Sequence, residues 1–220
     1  MVMAMTGRTV REERINATRQ AILLAAERLF AEHGVLAVSN RQISEAAEQG
    51  NNTAVSYHFG TKADLVRAIV RKRNEPVEGL RIQRLKEVGD STRVRDWVAC
   101  LVRPSAENLA ALGNPTWFAR FSAQVMTEPS LRDIAIEESM SSPAMHRILE
   151  GLHRCLPDLP DEIRAERSDM ARQLIVHTYA ERERALAEGT PTPRASWQEA
   201  ATGLIDAITG LWLAPVTDSP

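Results

Sequence analysis

Between Ser39 and Asp64 the chain reads SNRQISEAAEQGNNTAVSYHFGTKAD, a segment compatible with very few backbones. It opens with Ser39-Asn40-Arg41-Gln42 and closes with Thr61-Lys62-Ala63-Asp64. Each is a capping box, in which a hydroxyl accepts from one free amide while the side chain three residues on reaches back to another. Two helix starts so close together leave room for one short helix carrying Ile43, Ala46 and Ala47, a turn at Gln49-Gly50, and a second short helix. That second helix is expected to start with Asn51 as N-cap and to end near Phe59, with Gly60 closing it. Two short helices across a glycine-containing turn constitute a helix-turn-helix.

The second of these helices is unusually polar. Ala54, Val55 and Phe59 suffice to anchor one side, leaving Asn51, Asn52, Thr53, Ser56, Tyr57 and His58 for the other. Short polar side chains let a helix sit deep in a major groove, where Asn pairs with adenine and a Thr methyl meets a thymine methyl. Lys62, at the start of the next helix, is placed to meet a phosphate, as are Arg41 and the Tyr57 hydroxyl. Helices on either side supply the apolar surface: Ile22, Ala26, Leu29 and Phe30 at helical spacing from about Asn16 to His33, and Leu65, Val66, Ile69 and Val70 beyond Thr61. Residues 1–14, with Arg8, Arg11 and Arg14, read as a flexible basic arm.

These pieces resemble the tetracycline-repressor family of bacterial transcription regulators. ILLAAERLFAEHG looks like the first helix of the family, VSNRQISEAA the second, and TAVSYHFGTKADL its Tyr-x-Phe, Gly, Thr, Lys and acidic signature. The resemblance covers about residues 15–70. It departs at Glu48-Gln49-Gly50, where the family commonly has Ala-Gly-Val, so the glycine is displaced by one position. The resemblance implies a regulator with residues 15–62 as DNA-binding domain and 63–220 as a helical effector-binding and dimerisation domain. It also implies double-stranded operator DNA, a second copy of the chain and a small-molecule effector as partners.

The remainder agrees with an all-α fold of about nine helices. Aromatics are only 5% of residues, and alternating β-branched runs are lacking. Pro76 is expected to kink or end the fourth helix. Further helices are expected over residues 92–112, 114–128 with Asn114 capping, 130 onward with a restart at Ser142-Pro143, 160–188 and 196–213. The last carries a stripe of small residues, Ala200, Gly203, Ala207 and Gly210, beside which Met170 and Leu174 of the preceding helix offer a partner face. Because helical glycine costs roughly 0.8–1 kcal/mol against alanine, the stripe points to close approach of another helix and a dimer interface. Trp97, Trp117, Phe121, Met126, Met140 and His177 are the candidates for a ligand pocket.

Charge is divided unevenly. Residues 1–74 hold 11 Lys and Arg against 7 Asp and Glu, and residues 75–220 hold 16 against 22. A basic front suits a polyanion. Cys100 and Cys155 form no CxxC pair and no segment reaches the ~20 apolar residues of a membrane span, which together point to a cytoplasmic protein. His146, Glu150 and His153 share a helix face near Cys155, but a solvated face explains them better than a metal. No GxSxG, HExxH or paired-carboxylate motif is present, so neither an enzyme nor a cofactor is expected. The alternative to a ligand-released repressor is a ligand-independent architectural DNA binder.

Overall fold

The computed structural model describes residues 2–51 and 53–216, and the described residues form ten α-helices and no strand. Four build the front of the molecule: α1 (Val2–His33), α2 (Asn40–Ala46), α3 (Ala54–Phe59) and α4 (Lys62–Val88). Six follow: α5 (Val94–Leu112), α6 (Phe118–Thr127), α7 (Pro129–Met140), α8 (Pro143–Cys155), α9 (Asp161–Glu188) and α10 (Trp197–Leu213). Both expected capping boxes form, Ser39 with Gln42 and Thr61 with Asp64.

Apolar side chains collect in two cores. The front core takes Ile22, Ala26 and Phe30 from α1, Ile43 from α2, Val55 and Phe59 from α3, and Leu65 and Ile69 from α4. It also takes Phe121 and Val125 from α6, so the front is completed by a helix from the body. The second core gathers Trp97, Val98 and Val102 of α5, Ile148 and Leu152 of α8, and Ile205, Ile208 and Trp212 of α10. Helix α4 belongs to both, since Leu65 and Ile69 lie in the first and Leu85 in the second.

Several expectations are corrected. The segment read as a flexible arm is helical, because α1 extends from Val2 without interruption. Nothing between Arg8 and Ile15 breaks a backbone hydrogen-bond ladder, and residues 10–17 are solvent-exposed along this extension. Pro76 lies inside α4 and does not end it. Proline removes one ladder bond, but Val77 and Leu85 beyond it are buried and tie the second half of the helix to the body. The tenth helix arises because the restart at Ser142-Pro143 is a full break: Ser142 accepts from Met145 N as the N-cap of α8. Helix α6 begins at Phe118 with Trp117 at the cap position, so Asn114 is not its cap; the Asn114-Pro115 bond that precedes it is cis.

Candidate nucleic-acid interface and the cavity behind it

Helix α3 presents the polar face expected of it. Ala54, Val55 and Phe59 are buried, while Thr53 and Ser56 are exposed and Tyr57 is 81% exposed. His58 is half-buried, and its pKa is lowered by burial and by the Arg19 charge. Asn52 lies outside the described residues. The N-cap position belongs to Thr53 and not to Asn51, whose Oδ1 instead accepts from Thr53 N at 2.9 Å and Thr53 Oγ1 at 2.7 Å. An Asx-type turn therefore precedes the helix. Helix α3 is two residues shorter at its start than the sequence suggested.

Contacts from two other helices hold this short one. The Arg19 guanidinium, from α1, donates to the His58 carbonyl at 2.5 Å and lies 4.4 Å from the centre of the Phe59 ring. Asn40 Nδ2 at the start of α2 donates to Ser56 Oγ at 3.2 Å. Sequence reasoning missed Arg19, because its partners lie 39 and 40 positions away and no spacing rule connects them. In the turn between α2 and α3 the left-handed conformation falls on Glu48, with φ 55°, while Gly50 has open space around it. A non-glycine residue there costs about 1–2 kcal/mol.

Lys62 has a different environment from the one expected. Its ammonium donates to the carbonyls of Val35 at 3.0 Å, Val38 at 2.7 Å and Leu36 at 3.5 Å, the connection between α1 and α2. Burial lowers its pKa. All three donors of the ammonium are thus turned toward backbone, and the residue fastens the turn where a phosphate contact was expected. Arg41 is exposed but ion-paired with Glu45 at 2.8 Å, four residues on.

Behind the front core lies a cavity of about 400 Å³ lined by α4 to α10. One face of α4 lines it with Val70, Asn74, Val77 and Arg81, and one face of α8 with Met145, Leu149 and His153. Of the residues proposed as pocket wall, Phe121, Met126 and Met140 line this cavity. Trp97, Trp117 and His177 do not. Trp97 is core: its Nε1 donates to the Ser91 carbonyl at 2.9 Å and its ring lies against Gly151, where an added Cβ would overlap the indole. Trp117 donates to Glu32 at 3.1 Å and joins α1 to the body. His177 is exposed on α9. Composition marked the aromatics, but which of them face a void depends on how helices meet. Arg81, His153, Arg172, Tyr179 and Trp212 also line the wall, and His153 entered the sequence reading only as part of a rejected metal set.

The cavity and the front share a wall. Phe121 lines the cavity and stacks on Phe30 of α1 with ring centroids 6.2 Å apart. Around that contact, Arg73 of α4 grips the buried Glu27 carboxylate of α1 through two bonds of 2.7 Å. Glu183 of α9 accepts from the amides of Ala119 and Arg120 at the start of α6, at 3.1 and 2.9 Å. Burial raises the pKa of Glu183 despite these bonds.

The surface over α9 and α10 carries most of the small-residue stripe. Ala207 and Gly210 are exposed, Gly203 is partly so, and Met170 and Leu174 are 42% and 39% exposed beside them. No heavy atom lies within 4 Å of a Cβ built at Gly210, and at Gly203 only Arg194 side-chain atoms come as close as 3.9 Å. Ala200, by contrast, is buried within its own chain. Among the described residues no helix is long and apolar enough to cross a membrane, and no cluster of His, Cys, Asp or Glu could hold a metal ion.

Comparison with known proteins agrees with this anatomy. Residues 22–69 match the profile of bacterial regulatory proteins of the tetR family, and residues 99–210 match the tetracyclin repressor-like C-terminal domain. No curated protein sequence matches the chain. Among solved structures, the TetR family transcriptional regulator PfmR from Thermus thermophilus is similar, with a TM-score of 0.52 at 17% identity, over 86% of this chain and 96% of that one. The multidrug binding protein EbrR, solved with imidazole, gives a TM-score of 0.48 at 20% identity over 90% and 92%. Two profiles, one for each half of the fold, leave a single assignment: the chain belongs to the tetR family of bacterial transcriptional regulators.

Proposed function

We propose that the protein acts as a dimeric repressor, bound to a palindromic operator through α3 and released when a small molecule fills the cavity. The observation that carries this reading is the wall shared between the two sites, in which Phe121 touches both the cavity and Phe30 of α1. A ligand pressing on α6 would shift α1, and with it Arg19, which positions α3. Thr53, Ser56 and the sequence-assigned Asn52 would read base edges, while Tyr57 and Arg41 would contact the backbone. Lys62 would act by holding the α1–α2 turn.

The exposed face of Met170, Leu174, Gly203, Ala207 and Gly210 supports a pairing of α9 and α10 with their copies. Such symmetry would set two recognition helices about 34–36 Å apart, one turn of DNA. A ligand altering that separation would oppose DNA binding, and DNA would oppose the ligand equally.

Selection of bound sequences from a random duplex library at fixed salt tests the reading. An inverted repeat is expected. Featureless, steeply salt-dependent binding would replace it with a non-specific DNA binder. Thr53→Ala should relax preference at a particular base pair, whereas Tyr57→Ala should weaken all sequences alike. Gly210→Leu, whose Cβ meets no heavy atom of its own chain within 4 Å, should yield folded monomers with greatly weakened operator binding; a normal dimer would place the interface elsewhere.

A further inference from the structure

Four residues of the cavity wall each carry a buried nitrogen without a hydrogen-bond partner, and these constrain what can fill it, given the effector role proposed above. The nitrogens are Arg81 Nε, His153 Nε2, Arg172 Nη1 and Trp212 Nε1. Arg81 is 6% and Trp212 1% exposed. Guanidinium and indole nitrogens of this kind donate and never accept, so only an acceptor can satisfy them.

The neighbouring side chains are committed elsewhere. Glu78, 3.7 Å from Arg81 Nη1, accepts through Oε1 from Ala144 N at 3.2 Å and through Oε2 from Ser142 Oγ, at the start of α8. Asp169 is paired with Nη2 of Arg172, leaving Nη1 of that group free. Ser122 and Ser168 donate to carbonyls of their own helices, both at 2.8 Å. Two of the orphans, His153 of α8 and Trp212 of α10, are neighbours, and Arg172 lines the same cavity from α9. The rings of His153 and Trp212 lie 6.2 Å apart, and Arg167, just before the cavity-lining turn of α9, donates to the Trp212 carbonyl at 2.9 Å. Arg81 faces the same cavity from α4. The rest of the wall is mainly apolar, with Val70, Leu101, Phe121 and Ile175 typical of it.

We propose that this cavity binds a compact amphipathic anion, a monocarboxylate on an aromatic or aliphatic body. The carboxylate is drawn to Arg172 and Trp212, Arg81 adds a second guanidinium from α4, and the body packs toward α6 and α7. Among those four atoms only His153 Nε2 can accept, in one tautomer of the neutral ring, so a cation finds little there beyond that nitrogen and the already paired Asp169. At roughly 30 Å³ for each water-sized group, 400 Å³ accommodates about a dozen heavy atoms, the size of a phenyl ring, three methylenes and a carboxylate.

The test uses three probes with one body and different heads: 4-phenylbutyrate, 4-phenylbutanamide and 4-phenylbutylamine. Each is titrated calorimetrically into the full-length protein, then into Arg172→Gln and Arg81→Met, with helicity checked by circular dichroism. The carboxylate should bind at least tenfold tighter than the amide or the amine, and either substitution should cut that preference at least fivefold. Arg172 is only partly buried, so its variant decides the matter if Arg81→Met fails to fold. The inference is overturned if the amide or amine binds as well, if none of the three binds, or if the preference survives in every folded variant. The same probes are added to the operator complex. Carboxylate binding without release supports the anion site and sinks the effector role; equal release by all three heads does the reverse.

Discussion

The two halves of α4 are built from similar residues and serve opposite ends. From Lys62 to Ile69 the helix is closed: Leu65 and Val66 are fully buried, and the Lys62 ammonium is used by three carbonyls. Arg73 extends this closed region, with its guanidinium clasped on Glu27. From Asn74 to Arg81 one face opens on a cavity, and Arg81 keeps a buried donor without a partner. Cations in the first half hold the fold together; Arg81 in the second half meets Glu78 only at 3.7 Å and keeps its Nε without a partner. A buried charge is therefore informative only together with its partners.

The comparison can be broken in order of expected effect. Arg73→Ala strands the Glu27 carboxylate, which is 3% exposed as a side chain. Losing one partner of a buried pair typically costs about 3–5 kcal/mol, and urea unfolding should register a loss of that size. A loss below about 1 kcal/mol would mean that Glu27 finds another partner. Gly151→Ala drives a methyl into the Trp97 ring and should cost about 1–3 kcal/mol, since a packed indole cannot swing aside. Lys62→Met should lower stability by about 1–2 kcal/mol, the scale of charge-assisted bonds partly open to water, without changing the salt dependence of DNA binding. A slope reduced by about one would make Lys62 a phosphate contact after all. Arg81→Met removes the cation 3.7 Å from Glu78, which keeps its bonds to Ser142 and Ala144, so the loss should be smaller than for Arg73→Ala, about 1–2 kcal/mol.

The smallest effect sharpens the picture of the turn. Glu48→Gly removes a side chain from a left-handed residue and should stabilise the front by about 1 kcal/mol. A loss of stability would show that the Glu48 side chain offsets its own backbone strain. The acid limb offers a further check. Burial first, and the Arg164 charge second, lower the His153 pKa. A histidine depressed in the folded state contributes its stability above the unfolded value, near 6.5, and loses it as pH falls through the window below. His153→Gln should flatten that part of the stability profile, and an unchanged profile would place the titration elsewhere.

The front was legible in the sequence because its determinants are local. Ser39 with Gln42 and Thr61 with Asp64 act across three residues, and helical spacing marks Ile22, Phe30, Leu65 and Ile69 as core. Where local signals conflict with packing they mislead. Asn51 looked like a cap but makes the turn before one, and Pro76 looked like a terminator but is carried through by burial on its far side.

What the sequence determined by itself was the helix-turn-helix, the polar face of α3 and the family, since each is written in residues a few positions apart. Only the tertiary structure decided that Arg19 steadies α3, that Lys62 faces inward, and that Trp97 is core while Arg81, Arg172 and Trp212 share a cavity. Those facts depend on groups brought together from distant helices. A void has no residues of its own: it exists where faces of seven helices fail to meet, and no periodicity along a single helix records that.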